Sequence, residues 1–105
     1  MNFDHIAEIV VTKTSRTAND KVEKYFVPVS KILSIRTYEQ GFACFVCVTL
    51  VNGTCIKGST KHRSAVEDFV GNYRKVLTGD YYPTDEIPVT ICLDSPTYCN
   101  GDIDL

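Results

Sequence analysis

The stretch Phe42 to Lys57, FACFVCVTLVNGTCIK, is a run of β-formers interrupted once, by Asn52-Gly53. Asn-Gly between β-formers is the strongest short hairpin signal, because a type I′ turn requires positive φ at both central residues. A two-residue loop pairs Val51 with Thr54 and Leu50 with Cys55. One face then carries Cys44, Val46, Val48, Leu50 and Cys55, and the other Phe45, Cys47, Thr49, Val51 and Ile56. Both faces are largely apolar, which predicts cover on both sides. A single helix covers one side only, so the second cover comes from another part of the sheet or from another chain.

That helix follows the hairpin. Ser64-Ala-Val-Glu67 reads as a capping box, with Ser64 at the N-cap and Glu67 three residues on. Val66, Phe69, Val70, Tyr73 and Leu77 make the apolar stripe of an amphipathic helix over about 64–78, and Gly79 is placed to end it in the left-handed conformation. On the amino-terminal side, Ala7–Lys13, Lys24–Val29 and Ile32–Tyr38 read as strands, with Pro28 confining the second to an edge or ending it. Ile87–Leu93 reads as the last strand. The fold expected is α+β: a curved, antiparallel sheet of five to six strands with one amphipathic helix. Residues 1–105 form a single domain, with 94–105 an acidic tail or loop.

Composition narrows the function classes. An apolar fraction of 44% with 23% charged residues is that of a globular chain rather than a disordered one. The longest apolar run, Phe42 to Val48, is far short of a membrane span, and the opening Met1-Asn2-Phe3-Asp4-His5 lacks the pattern of a secretory signal. Cytoplasmic residence follows as the expectation, with no membrane association. All eleven Lys and Arg lie in residues 1–75 against seven acids, whereas residues 76–105 hold six acids and no base. Such polarity favours charge-complementary contacts.

No residue set spells out a reaction. The five cysteines, an odd number, read as reduced and mostly buried thiols. Cys44 and Cys47 have CxxC spacing, but positions i and i+3 of a strand face opposite sides, so no metal site or cofactor is assigned. A tetrahedral site would need Cys55, Cys92, Cys99 or His62 brought from afar. His5 and His62 stand in no catalytic context, and phosphate-loop, dinucleotide and zinc-protease patterns are missing from the sequence.

Two polar groupings remain as candidate binding residues. Lys61, His62 and Arg63 precede the expected start of the helix, where free N–H groups favour an anion, and Lys57 lies on the incoming strand. These four form a candidate ligand site for a small phosphorylated molecule such as a nucleotide signal. The acidic end offers Asp80, Tyr81, Tyr82, Asp94, Tyr98, Asp102 and Asp104 to a basic protein partner. The same acidic end disfavours duplex nucleic acid, which needs a continuous basic face.

Residues 26–73 resemble small β-β-β-α modules. Val29 to Ile35 (VSKILSI), Cys47 to Gly53 (CVTLVNG), Ser59 and Ser64 to Phe69 (SAVEDF) carry the likeness. Similar runs occur in LytTR-type DNA-binding domains, in a flagellar FlbD-type family and in small phage proteins. The LytTR likeness implies nucleic-acid binding, although this chain lacks a strongly basic face. The phage likeness implies inhibition of a host defence protein or sequestration of its signal. The leading expectation is a non-enzymatic module acting by protein–protein contact as a homo-oligomer. A binder of a small phosphorylated ligand comes second and nucleic-acid binding third.

Overall fold

The computed structural model describes residues 5–14, 19–95, 97–98 and 101–102. Runs of β-branched and aromatic residues form its long strands, and burial alternates along β1, β4 and β6. They are β1 (Ile6–Lys13), β2 (Lys21–Pro28), β3 (Ile32–Gln40), β4 (Ala43–Leu50), β5 (Cys55–Thr60) and β6 (Val89–Asp94). A 3₁₀ turn, Val29–Lys31, joins β2 to β3, and helix α1 (Arg63–Thr78) lies between β5 and β6. Two short strands, β7 (Thr97–Tyr98) and β8 (Gly101–Asp102), pair with each other, so the expected tail contains a small hairpin.

The sheet order is β2-β1-β6-β5-β4-β3. It is mixed, which corrects the expected antiparallel sheet. β6 lies parallel to β1, in the register Ala7 with Val89 through Thr12 with Asp94, and antiparallel to β5. The reason is the crossover: α1 carries the chain back over the sheet, and β6 then inserts between β1 and β5 instead of extending an edge. That choice is fixed by long-range pairing, and no local residue announces it.

One face of the sheet holds the core. Ala7, Ile9 and Val11 of β1, Val89, Ile91 and Leu93 of β6, Cys44, Val46 and Val48 of β4, and Ile56 of β5 are buried with Val66 and Phe69 of α1. α1 packs chiefly on β6, and the Asn72 side-chain amide donates to the Pro88 carbonyl at 2.8 Å, anchoring the entry to that strand. Gly79 ends the helix at φ +70° as expected. The stripe is corrected at its end: Leu77 is 56% exposed, and Val76 packs against the core instead. Val76 and Leu77, three and four residues beyond Tyr73, both lie on the stripe's side of the helix, and Leu77 stands in its last turn, one residue before the end.

The start of the helix is corrected as well. His62, not Ser64, is the N-cap, and no side chain caps the helix. The buried Thr60 hydroxyl accepts the His62 N–H at 3.1 Å, turning the chain early so that helical geometry begins at Arg63.

The hairpin differs by one residue, and that residue matters most. Among the described residues only glycines have positive φ, so Asn52 does not form a type I′ turn. Gly53 (φ +91°) ends a three-residue loop closed by the Leu50 N–H donating to the Thr54 carbonyl at 2.8 Å. The Asn52 side chain accepts the Thr54 N–H at 3.0 Å. Thr49 therefore pairs with Cys55, Cys47 with Lys57 and Val46 with Gly58. A one-residue slip exchanges the faces of a strand. Ile56 goes under the helix, and Cys55 and Lys57 go to the other side. The slip buries a branched apolar residue where the expected register would have placed Lys57 beneath the helix, a costly burial of charge.

Within the chain, the cover expected on both faces of β4 is present on the helix side, where Cys44, Val46 and Val48 are buried. Ala43, Phe45, Cys47 and Thr49 on the other face are half-buried, and α1 lies on the opposite side of the sheet. At the far edge Glu23 accepts the Tyr25 hydroxyl and pairs with Lys13 and Lys21. The Tyr25 bond and the two cations hold the Glu23 carboxyl below its usual range, and Glu23 pushes Tyr25 up.

Candidate binding site on the uncovered face

Strand pairing arranges the uncovered side of β3, β4 and β5 in rows. Arg36, Cys47 and Lys57 form one row, and Tyr38, Phe45 and Ser59 the next. Ser34, Thr49 and Cys55 form the row on the turn side. Tyr38 and Phe45 face each other across the pair and stack, with ring centroids 4.9 Å apart and planes 12° from parallel. Cys47 and Cys55, diagonal neighbours with Cα atoms 6.5 Å apart, are joined by a disulfide. This corrects the reading of all five cysteines as reduced thiols. The expected register sent these two sulfurs to opposite faces, and the observed one puts them side by side. Cys44 is buried and free, facing the helix, so the CxxC pair does diverge. Cys92 is free and exposed. Among the described residues no three metal-ligating side chains cluster.

These rows border a concavity of about 240 Å³ lined by Arg36, Tyr38, Phe45, Cys47, Cys55 and Lys57 together with Thr49 and the neighbouring Val46. Its electrostatics are one-signed. Arg36 and Lys57 flank the row at Cys47, and β3, β4 and β5 present no acid on this face. Neither cation has an ion-pair partner among the described residues, whose pairs are Lys13–Glu23, Lys21–Glu23 and Arg63–Glu39.

The four residues expected to share a ligand do not converge. Lys57 sits on the uncovered face beside Cys47, whereas Arg63 pairs with Glu39, which faces the helix side opposite Cys44. Lys61 and His62 are exposed in the short connection from β5 to α1. The acidic set divides too. Asp80 and Tyr81 follow α1 near the start of β1, where Tyr81 meets His5 edge to face at 5.2 Å. Tyr82 is exposed, and its N–H donates to the Asp85 carboxylate at 3.0 Å. Asp94 lies at the opposite end of β6, beside Thr12 and Ser59. Tyr98 and Asp102 belong to the β7–β8 pair, and Asp104 lies outside the described residues.

The local sequence did contain a signal for Arg36, Tyr38 and Phe45. Alternation in β3 and β4 puts all three on the face of Cys47. Only the position of Lys57 depended on the loop length. No described helix is long and apolar enough to cross a membrane. No family model matches the chain, nor does any curated protein or solved structure.

Proposed function

We propose that this chain is a small, non-enzymatic binding module that acts by protein–protein contact and self-associates through the β1–β2 half of its uncovered face. The observation that carries the reading is the exposure of Ile6 (51%), Val22 (55%) and Phe26 (63%) on that half of the face. Glu8 and Lys24 lie among them as diagonal neighbours, Glu8 opposite Phe26 and Lys24 opposite Val10. A patch bearing one charge of each sign is self-complementary, so a second copy related by a two-fold axis sets each Glu8 against a Lys24. β2 is also a sheet edge with unpaired backbone groups, a ready template for another strand. Inhibition of a host defence protein, implied by the resemblance to small phage proteins, is one form this reading takes. The compartment proposed is the cytoplasm. The Cys47–Cys55 disulfide counts against it, since cytosolic disulfides are uncommon outside redox-active proteins.

Sedimentation equilibrium tests self-association. At ~100 μM, well above a micromolar dissociation constant, the chain is expected to sediment as two copies and Phe26→Asp as one. A monomer at that concentration refutes the reading.

The second reading, a binder of a small phosphorylated ligand, is favoured by Arg36 and Lys57, two cations with no acid on their part of the face. Nucleic-acid binding has least support, because the chain carries a net charge of −2 and its basic residues form no continuous face.

A further inference from the structure

We infer that the concavity across β3, β4 and β5 is a binding site for a mononucleotide, with the base against Tyr38 and Phe45 and the phosphate between Arg36 and Lys57. The inference rests on the phosphorylated-ligand reading and names its ligand class. Arg36 and Lys57 lie two strands apart in one row, roughly 10 Å at the backbone, so their long side chains can converge on one anion above Cys47. Arg offers a planar fork for phosphate oxygens and Lys a mobile point charge. The aromatic pair lies in the adjacent row, one two-residue repeat or about 7 Å along the strands. A base joined to phosphate through a sugar spans two such rows.

Three features of the site select this class over other anions. The Tyr38–Phe45 stack presents a π surface that a simple phosphate would leave unused, whereas base–aromatic stacking is a strong and sequence-tolerant contact. Among the described residues β3, β4 and β5 contribute no acid to this face, which removes repulsion against the phosphate from the strands that form the site. The concavity, about 240 Å³, lies just below the range of pockets for drug-sized ligands and admits one nucleotide rather than a chain of them. A polynucleotide would also meet Asp94, which pairs with Ser59 in the row of the aromatic stack.

Titration of the full chain with adenosine 5′-monophosphate, followed by amide chemical shifts, tests the assignment. Saturation is expected in the micromolar to low millimolar range, with shifts confined to β3, β4 and β5. Tyr38→Ala is expected to weaken binding roughly 5- to 100-fold, the usual range for loss of a stacking partner. Arg36→Ala and Lys57→Ala are each expected to weaken it about tenfold or more, as loss of a charged hydrogen bond does. All three side chains are exposed, so these variants retain the fold. Lys61→Ala combined with Arg63→Ala is expected to leave affinity unchanged.

Ribose 5-phosphate separates the inference from the reading beneath it. If it binds as tightly as the nucleotide and Tyr38→Ala changes nothing, the base subsite is overturned and a phosphate site at Arg36 and Lys57 stands. Loss of binding only in the Lys61/Arg63 variant overturns the location. Tighter binding of a single-stranded oligonucleotide, with affinity falling steeply in salt, overturns the mononucleotide class. If no phosphorylated compound binds at ~10 mM, both the inference and the reading fall.

Discussion

Phe69→Ala is expected to lower the free energy of unfolding by about 3–5 kcal/mol, a large part of the stability of a domain this size. Phe69 is the largest of the fully buried side chains and lies in the centre of the α1 stripe. A sixteen-residue helix is marginal by itself in water, so α1 persists because Val66, Phe69, Val70, Tyr73 and Val76 dock on the sheet. Removing the ring leaves a cavity that β6 and β4 can close only by moving the backbone that also pairs with β1 and β3. Urea titration of the single variant measures the loss. Leu77→Ala, eight residues along the same helix but exposed, is the internal control and is expected to change stability by less than ~0.5 kcal/mol. A Phe69→Ala loss below ~1 kcal/mol, or equal losses in the two variants, contradicts the packing described.

Gly58→Ala is expected to destabilise the chain by about 1–3 kcal/mol through overpacking. A Cβ on Gly58 would lie 2.5 Å from the Cβ of Leu93, with two further Leu93 carbons at 3.1 and 3.3 Å. The nearest atom is fixed to the β6 backbone, so no rotamer change relieves the contact and the strands must part. Their seam has little reserve, since Ser59 with Asp94 is the residue pair that joins β5 to β6. The same substitution at Gly71, inside α1 and with nothing within 4 Å of the added carbon, is expected to stabilise by about 0.5–1 kcal/mol through helix propensity. Opposite signs for one added methyl group would identify the seam as the cause. A neutral Gly58→Ala would mean that β5 and β6 do not approach as described.

Most strands and the helix were legible in the sequence because local alternation and the α1 stripe are strong and mutually consistent. Phe69 and Gly79 sit where the periodicity and the end signal put them. Three features were not legible, each for a physical reason. The parallel placement of β6 beside β1 depends on a crossover of long sequence separation, and Val89–Asp94 reads the same beside any neighbour. The helix start depended on the Thr60 hydroxyl turning the chain at His62, which outranked the capping pattern at Ser64 and Glu67. The hairpin loop depended on whether Asn52 or Gly53 alone took positive φ. That one-residue difference moved Lys57 from the helix side to the row of Arg36 and brought Cys55 beside Cys47. Arg36, Tyr38 and Phe45 were thus readable as a shared face, while the concavity they form with Lys57 was not.

Both functional readings depend on a sheet with the helix on one side only, and the ligand site further requires Lys57 next to Cys47 on the bare side. Backbone nuclear Overhauser effects between α-protons test this directly, because directly opposed residues that exchange no hydrogen bonds bring their Cα atoms to about 4.5 Å. The Leu50–Thr54 closure predicts strong α-proton contacts for Cys47 with Lys57 and for Thr49 with Cys55. Contacts of Val48 with Lys57 and of Leu50 with Cys55 would instead put Lys57 under the helix and dissolve the site.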